Sequence, residues 1–96
     1  MKILVSNKAK GVLLQIFSYL AQRNPAAAEN LAQAIDRRFE HLVRFPFIGR
    51  ERERLAAGLR SLFVGTHLIF YTVQTEQITV IRVIDGRMDV DEEFQR

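Results

Sequence analysis

Three residues in the second half of the chain, His67, Tyr71 and Arg82, are of the types that together can cut RNA. They would supply a proton acceptor, a proton donor and a guanidinium to hold the scissile phosphate. On one strand, His67 and Tyr71 share a face with Ile69 between them, and Arg82 falls on the neighbouring strand. The plainer assignment, and the preferred one, is a surface histidine near a turn, a tyrosine packed by its ring and an arginine paired with an acid. Arg60 and Arg87 offer the same planar fork to a phosphate or a carboxylate, or are ordinary surface charges. Phe63, Phe70 and Tyr71 are the aromatic residues that could stack bases beside basic positions, and their place in strands makes them core residues instead. The chain has no Gly-rich phosphate loop, no His-Glu-x-x-His and no Gly-x-Ser-x-Gly. No catalytic residue is assigned on these grounds. Zero cysteines exclude thiolate sites and disulfides, and two histidines far apart make a poor metal site, so no metal or other cofactor is expected.

The elements that must position these residues follow from periodicity. Lys2 to Ser6 reads as a short strand closed by polar residues suited to capping a helix. From Asn7 the spacing turns helical: Leu13, Ile16, Phe17 and Leu20 form one apolar stripe, and the helix runs to about Gln22. Arg23-Asn24-Pro25 stops that helix and starts another, because the residue before proline avoids the α-region, asparagine caps well and proline suits the first helical position. Leu31, Ile35, Phe39 and Leu42 carry the second stripe until Phe45-Pro46. So short a connection predicts an antiparallel helical hairpin. Pro46 to Ala57 has no sustained period and is expected to be loop or short edge structure. Leu59–Val64, His67–Val73 and Ile78–Ile84 are rich in β-branched and aromatic residues, with connections of hairpin length, and predict an antiparallel meander. Asp85 to Arg96 reads as a turn and a loosely held tail.

The expected fold is therefore α+β, in the order βααβββ, with the helical hairpin packed on one face of a small, mainly antiparallel sheet. The strands carry apolar residues at both parities, Leu68 and Phe70 against Ile69 and Val73. Helices on one side alone would leave an uncovered patch of the kind that marks a protein partner.

With 96 residues, 48% hydrophobic and 26% charged, the chain is expected to be one globular domain over 1–96. No run approaches the roughly 18 apolar residues of a membrane span, and the apolar run Ile3-Leu4-Val5 is too short for a secretory signal, so a cytoplasmic protein is expected. The net charge of +3 is unevenly placed. Seven of the eleven arginines lie between Arg37 and Arg60, and five of the eleven acids between Asp85 and Glu93. A basic middle of this kind suits an anionic partner, nucleic acid or acidic protein, unless Arg50-Glu51-Arg52-Glu53-Arg54 is a self-compensating loop.

In order and spacing the chain resembles the ParE toxins of the RelE/ParE superfamily. The resemblance rests on Ile16, Tyr19 and Arg23-Asn24-Pro25-Ala26-Ala27-Ala28, then Leu42, Pro46 and Gly49, then Gly58-Leu59-Arg60 and Ile69-Phe70-Tyr71, and finally Ile81-Arg82-Val83-Ile84 with Gly86-Arg87. It implies a non-enzymatic toxin of a type II toxin–antitoxin system, held in a hetero-oligomer by a ParD-like antitoxin and directed at DNA gyrase, with no membrane association and no direct sequence-specific nucleic-acid binding. The candidates for target contact are Arg60, Arg82, Gly86 and Arg87. Those for antitoxin contact are Leu13, Phe17, Leu20, Phe63, Ile69 and Tyr71. RelE relatives instead cut mRNA and typically carry a C-terminal tyrosine or histidine for proton transfer. Asp85 to Arg96 contains neither, and its acids would repel RNA. Asp85 stands where many ParE sequences have histidine. A homologue that only binds its antitoxin is the remaining alternative.

Overall fold

The computed structural model describes every residue, Met1 to Arg96. Its elements are β1 (Lys2–Val5), α1 (Asn7–Arg23), α2 (Pro25–Arg44), β2 (Arg50–Glu51), β3 (Arg60–Val64), β4 (His67–Gln74), β5 (Gln77–Asp85) and α3 (Val90–Phe94). Ser6 Oγ accepts from the Ala9 N–H at 3.1 Å, which caps α1, and donates to the Ile81 carbonyl at 2.8 Å, which ties the cap to the sheet. Asn24 serves both long helices. Its N–H donates to the Leu20 carbonyl at the end of α1, and its Oδ1 accepts from Ala27 N–H at the start of α2, where Pro25 takes the first position.

The sheet order is β1-β5-β4-β3-β2, with β1 parallel to β5 and every other pair antiparallel. The predicted meander is present, and the short edge structure between Pro46 and Ala57 is β2. Gly65 turns β3 into β4 with φ of +59°, a left-handed backbone that an L side chain would strain. Opposite Phe70 and Tyr71 the register slips: Phe70 pairs with Arg82 but Tyr71 with Val80, so Ile81 is an extra residue in β5.

The helical hairpin covers one face of the sheet. Ile69, Tyr71, Ile78, Val80 and Val83 meet Ala9, Ile35 and Leu42 there, with Leu13, Ile16 and Phe17 packed at the margin. The other face departs from expectation. Leu59, Leu68, Phe70 and Ile84 form a second buried cluster, covered by Leu55 and Ala56 from one side and by Val90 and Phe94 of α3 from the other. Two corrections follow: the sheet has no bare apolar face, and the acidic tail is not loose. Asp89 caps α3 by accepting from Glu92 N–H, the Phe94 ring lies 5.2 Å from that of Phe70, and Lys8 Nζ reaches the Arg96 carbonyl at 2.7 Å.

Candidate functional site

The bulge at Ile81 decides the fate of the His67, Tyr71 and Arg82 trio. His67 and Tyr71 do share the helix-facing side of β4, but Arg82 emerges on the opposite side, where its two terminal nitrogens donate to the Phe94 and Glu93 carbonyls at 2.7 Å each. The expected acid partner is thus replaced by carbonyls, the free ends of a helix's backbone, which a cation satisfies well. Tyr71 is wholly buried; its hydroxyl donates to the Pro46 carbonyl at 2.8 Å and accepts from Gly49 N–H at 2.9 Å. Burial raises its pKa. Gly49 is needed at this contact, because a Cβ there would lie 2.5 Å from the Tyr71 hydroxyl.

The target candidates are not brought together. Arg60 lies at the β2 end of the sheet, donating to the carbonyls of Phe47 and Gly49 at 3.0 and 2.9 Å and pairing with Glu51, so it staples the loop after α2. Arg82 holds α3. Gly86 and Arg87 lie together at the opposite end from Arg60, in the turn after β5. The Gly86 N–H donates to the Thr66 carbonyl at 2.8 Å, and a Cβ on Gly86 would meet the Phe63 ring at 2.7 Å. Arg87 is largely exposed and forms a bidentate pair with Asp85, at 3.0 and 2.6 Å.

Asp85 is held below the usual carboxylate range, first by the Arg87 side-chain hydrogen bond, then by the Arg87 backbone N–H, with lesser help from the charges of Arg87 and His67. A depressed folded pKa adds stability above the unfolded value of about 3.9 and loses it as pH falls below that. Asp85→Asn is therefore expected to flatten the acid side of the stability profile below about pH 4. Urea midpoints measured from pH 2 to 7 check this, and an unchanged acid limb counts against the pair.

Of the antitoxin candidates, Ile69 and Tyr71 are buried under the helices, and Leu13 and Phe17 are half-buried against the same core. Leu20 lines a surface depression of about 360 Å³ with Ile16, Tyr19, Gln15, His67 and Arg87. Phe63 is 51% exposed and stands on the other side of the Gly86 turn. This end of the molecule gathers residues from α1, β4 and the β5–α3 turn. Its shape is an apolar hollow rimmed by a histidine and an arginine. Tyr19 was missed as a site residue by the sequence reading, although Arg23, four residues on, signals the pair: its guanidinium lies 4.0 Å from the Tyr19 ring centre.

Residues 3–90 match the model of the ParE toxin of type II toxin-antitoxin systems, parDE. The chain belongs to the ParE toxin family. The matched span contains both long helices and, but for Lys2 of β1, all five strands, and it stops at the first residue of α3. Among curated relatives, Toxin ParE3 of Caulobacter vibrioides is 28% identical over 90 residues, covering 93% of this chain and 90% of that one. Toxin ParE1 of the same organism is 31% identical over 86 residues, 88% of each chain. Toxin ParE1 of Mycobacterium tuberculosis is 37% identical over 65 residues, 67% of this chain and 66% of its own. A solved structure described as the chromosomal ParDE TA system from P. aeruginosa superposes with a TM-score of 0.70 at 22% identity, covering 88% of this chain and 95% of that chain, a likeness of fold. The ParE resemblance and the α+β fold expected of it are thereby borne out.

Proposed function

We propose that this ParE-family chain is a cytoplasmic toxin that works by binding: a ParD-like antitoxin neutralises it in a hetero-oligomer, and, when free, it inhibits DNA gyrase without catalysis. The observation that carries the reading is the separation of the acid–base candidates. Tyr71 is inside the core and Arg82 is on the far face, so neither of them shares a surface with His67. The hollow between α1 and the β4–β5 end supports the antitoxin half. Ile16, Tyr19 and Leu20 can anchor apolar side chains, while His67 and Arg87 meet acidic ones. Of the target candidates, Arg87 with its Gly86 turn remains the exposed contact. Arg60 and Arg82 act as staples that shape the surface.

Inducible expression without antitoxin tests this. Growth inhibition is expected with altered DNA supercoiling and intact mRNA, reversed by a small DNA-binding protein encoded beside the toxin that binds it with nanomolar affinity or better, about −12 kcal/mol. Arg87→Ala is expected to weaken the inhibition, with a loss of about 2 kcal/mol, some thirty-fold, if it is a hot spot. His67→Gln should leave the inhibition intact. Ribosome-dependent mRNA cuts that vanish in His67→Gln would move the chain to the RelE side. Antitoxin binding without toxicity would make it a non-toxic homologue.

A further inference from the structure

The chain leaves α2 through a turn of unusual composition. The Ile48 N–H donates to the Phe45 carbonyl at 3.1 Å and closes Phe45-Pro46-Phe47-Ile48. Turns favour small polar residues, yet here Phe45, Phe47 and Ile48 stand 56%, 64% and 48% exposed. The turn is also held from within. Tyr71 donates to its Pro46 carbonyl and Arg60 to its Phe47 carbonyl, while both reach Gly49 just beyond. Apolar side chains on so fixed a backbone form a preorganised knob, which loses little freedom when it docks. Arg44 and Arg50 flank the knob in sequence, and neither has an ion-pair partner.

A hollow of the opposite character precedes it on α2. Asp36, Phe39, Glu40 and Val43 share one flank of the helix and, with Ile3 of β1, line a depression of about 350 Å³. Its apolar lining carries charge only in Asp36 and Glu40, both exposed and both without an ion-pair partner. Glu40 and Arg44 are four apart on one helix, in the order that favours pairing, and still do not pair. The carboxylates beside the hollow and the guanidiniums beside the knob are both left for another molecule.

We propose that the C-terminal half of α2 and its turn bind a second copy of this chain about a two-fold axis, the knob of each protomer seated in the hollow of the other. Hollow and knob follow one another along the chain, residues 36–43 and then 45–48, so one antiparallel crossing of two α2 helices seats both at once. In that crossing Phe45 and Phe47 cover the partner's Phe39 and Val43, and Arg44 meets the partner's Glu40. A lipid surface fits less well. Anionic headgroups that attract Arg44 and Arg50 would repel Asp36 and Glu40, and a bilayer has no use for the hollow. Phe47 stands at the Arg60 end of the sheet, its ring centre 5.2 Å from that guanidinium, away from the depression beside Tyr19 and Arg87. The proposal is therefore independent of the antitoxin and gyrase reading.

The full chain is followed by sedimentation velocity from about 1 to 200 μM, the range in which an interface with a few apolar anchors per copy dissociates. A monomer–dimer equilibrium without larger species is expected. Phe47→Ser should weaken it about thirty-fold, because the change enters both halves of the interface. Glu40→Arg and Arg44→Glu should each weaken it about ten-fold, and the two in one chain should restore it, since the pair is then reversed and still complementary. All three positions are exposed, and an unchanged melting temperature confirms that each variant folds. A chain monomeric at the highest concentration, a dimer indifferent to Phe47→Ser, or a double variant as weak as the single ones would overturn the proposal. So would growth beyond the dimer, the mark of a head-to-tail contact, or a monomer that sediments with phosphatidylglycerol vesicles, which gives the turn to a bilayer.

Discussion

Phe70→Ala is expected to lower the free energy of unfolding by about 3–5 kcal/mol, a large fraction of what a domain of this size possesses. Phe70 has no exposed surface and is the centre of the smaller cluster, with Leu59, Leu68 and Ile84 around it. The Phe94 ring lies 5.2 Å away and the Arg52 guanidinium 5.7 Å from its own ring. Truncation opens a cavity between the sheet and α3 that neither side can collapse to fill, because Arg82 holds α3 in place through two carbonyls. Phe94→Ala should cost less, since Phe94 keeps some exposure. Urea denaturation of both variants checks the order. A Phe70→Ala cost under about 1.5 kcal/mol would mean that α3 does not seal this face.

The second large effect belongs to Tyr71. Removing its hydroxyl in Tyr71→Phe strands the Gly49 N–H and the Pro46 carbonyl, each costing about 1–3 kcal/mol when buried without a partner. A loss of about 2–4 kcal/mol is expected in urea denaturation. Gly49→Ala should destabilise on its own, and the two changes together should cost less than their sum. The added Cβ collides with the same hydroxyl, at 2.5 Å, although the Tyr71 ring carbon at 2.8 Å and the Ser61 carbonyl at 2.9 Å remain in the way. Strict additivity would show that the contact is not shared. Tyr71→Phe is therefore a stability variant, and any effect on toxicity must be read against its folded fraction.

The helices and strands were legible because their signals are local. Asn24-Pro25 marks the hairpin's corner, and Leu13, Ile16 and Phe17 repeat at helical spacing. What was missed depends on contacts distant in sequence. Asp89-x-x-Glu92 is a start signal for α3, but a helix of five residues with three acids has no apolar stripe to reveal it. Its anchors, Arg82 and Phe70, carry no local mark of their role. The bulge is equally silent. Strict alternation would put Val80 and Val83 on opposite faces, yet both meet the helices because Ile81 is an extra residue. Arg82 is thereby turned away from His67 and Tyr71. Phe63 shows the same limit in reverse: its strand position suggested core, and an outward-facing place on β3 left it exposed.

The parallel pairing of β1 with β5 sets when this protein can come into being. Lys2 to Val5 find their partners in Gln77 to Val80, 75 residues later. At about 5–20 residues per second of synthesis, the first strand waits several seconds for the strand that completes its ladder. A nascent chain ending before β5 has β1 and β4 with no strand between them, and a helical hairpin with half a sheet beneath it. Contacts of such long range also slow the final assembly. A round of translation interrupted before β5 thus releases a fragment without the fold's architecture, one that is prey for proteases.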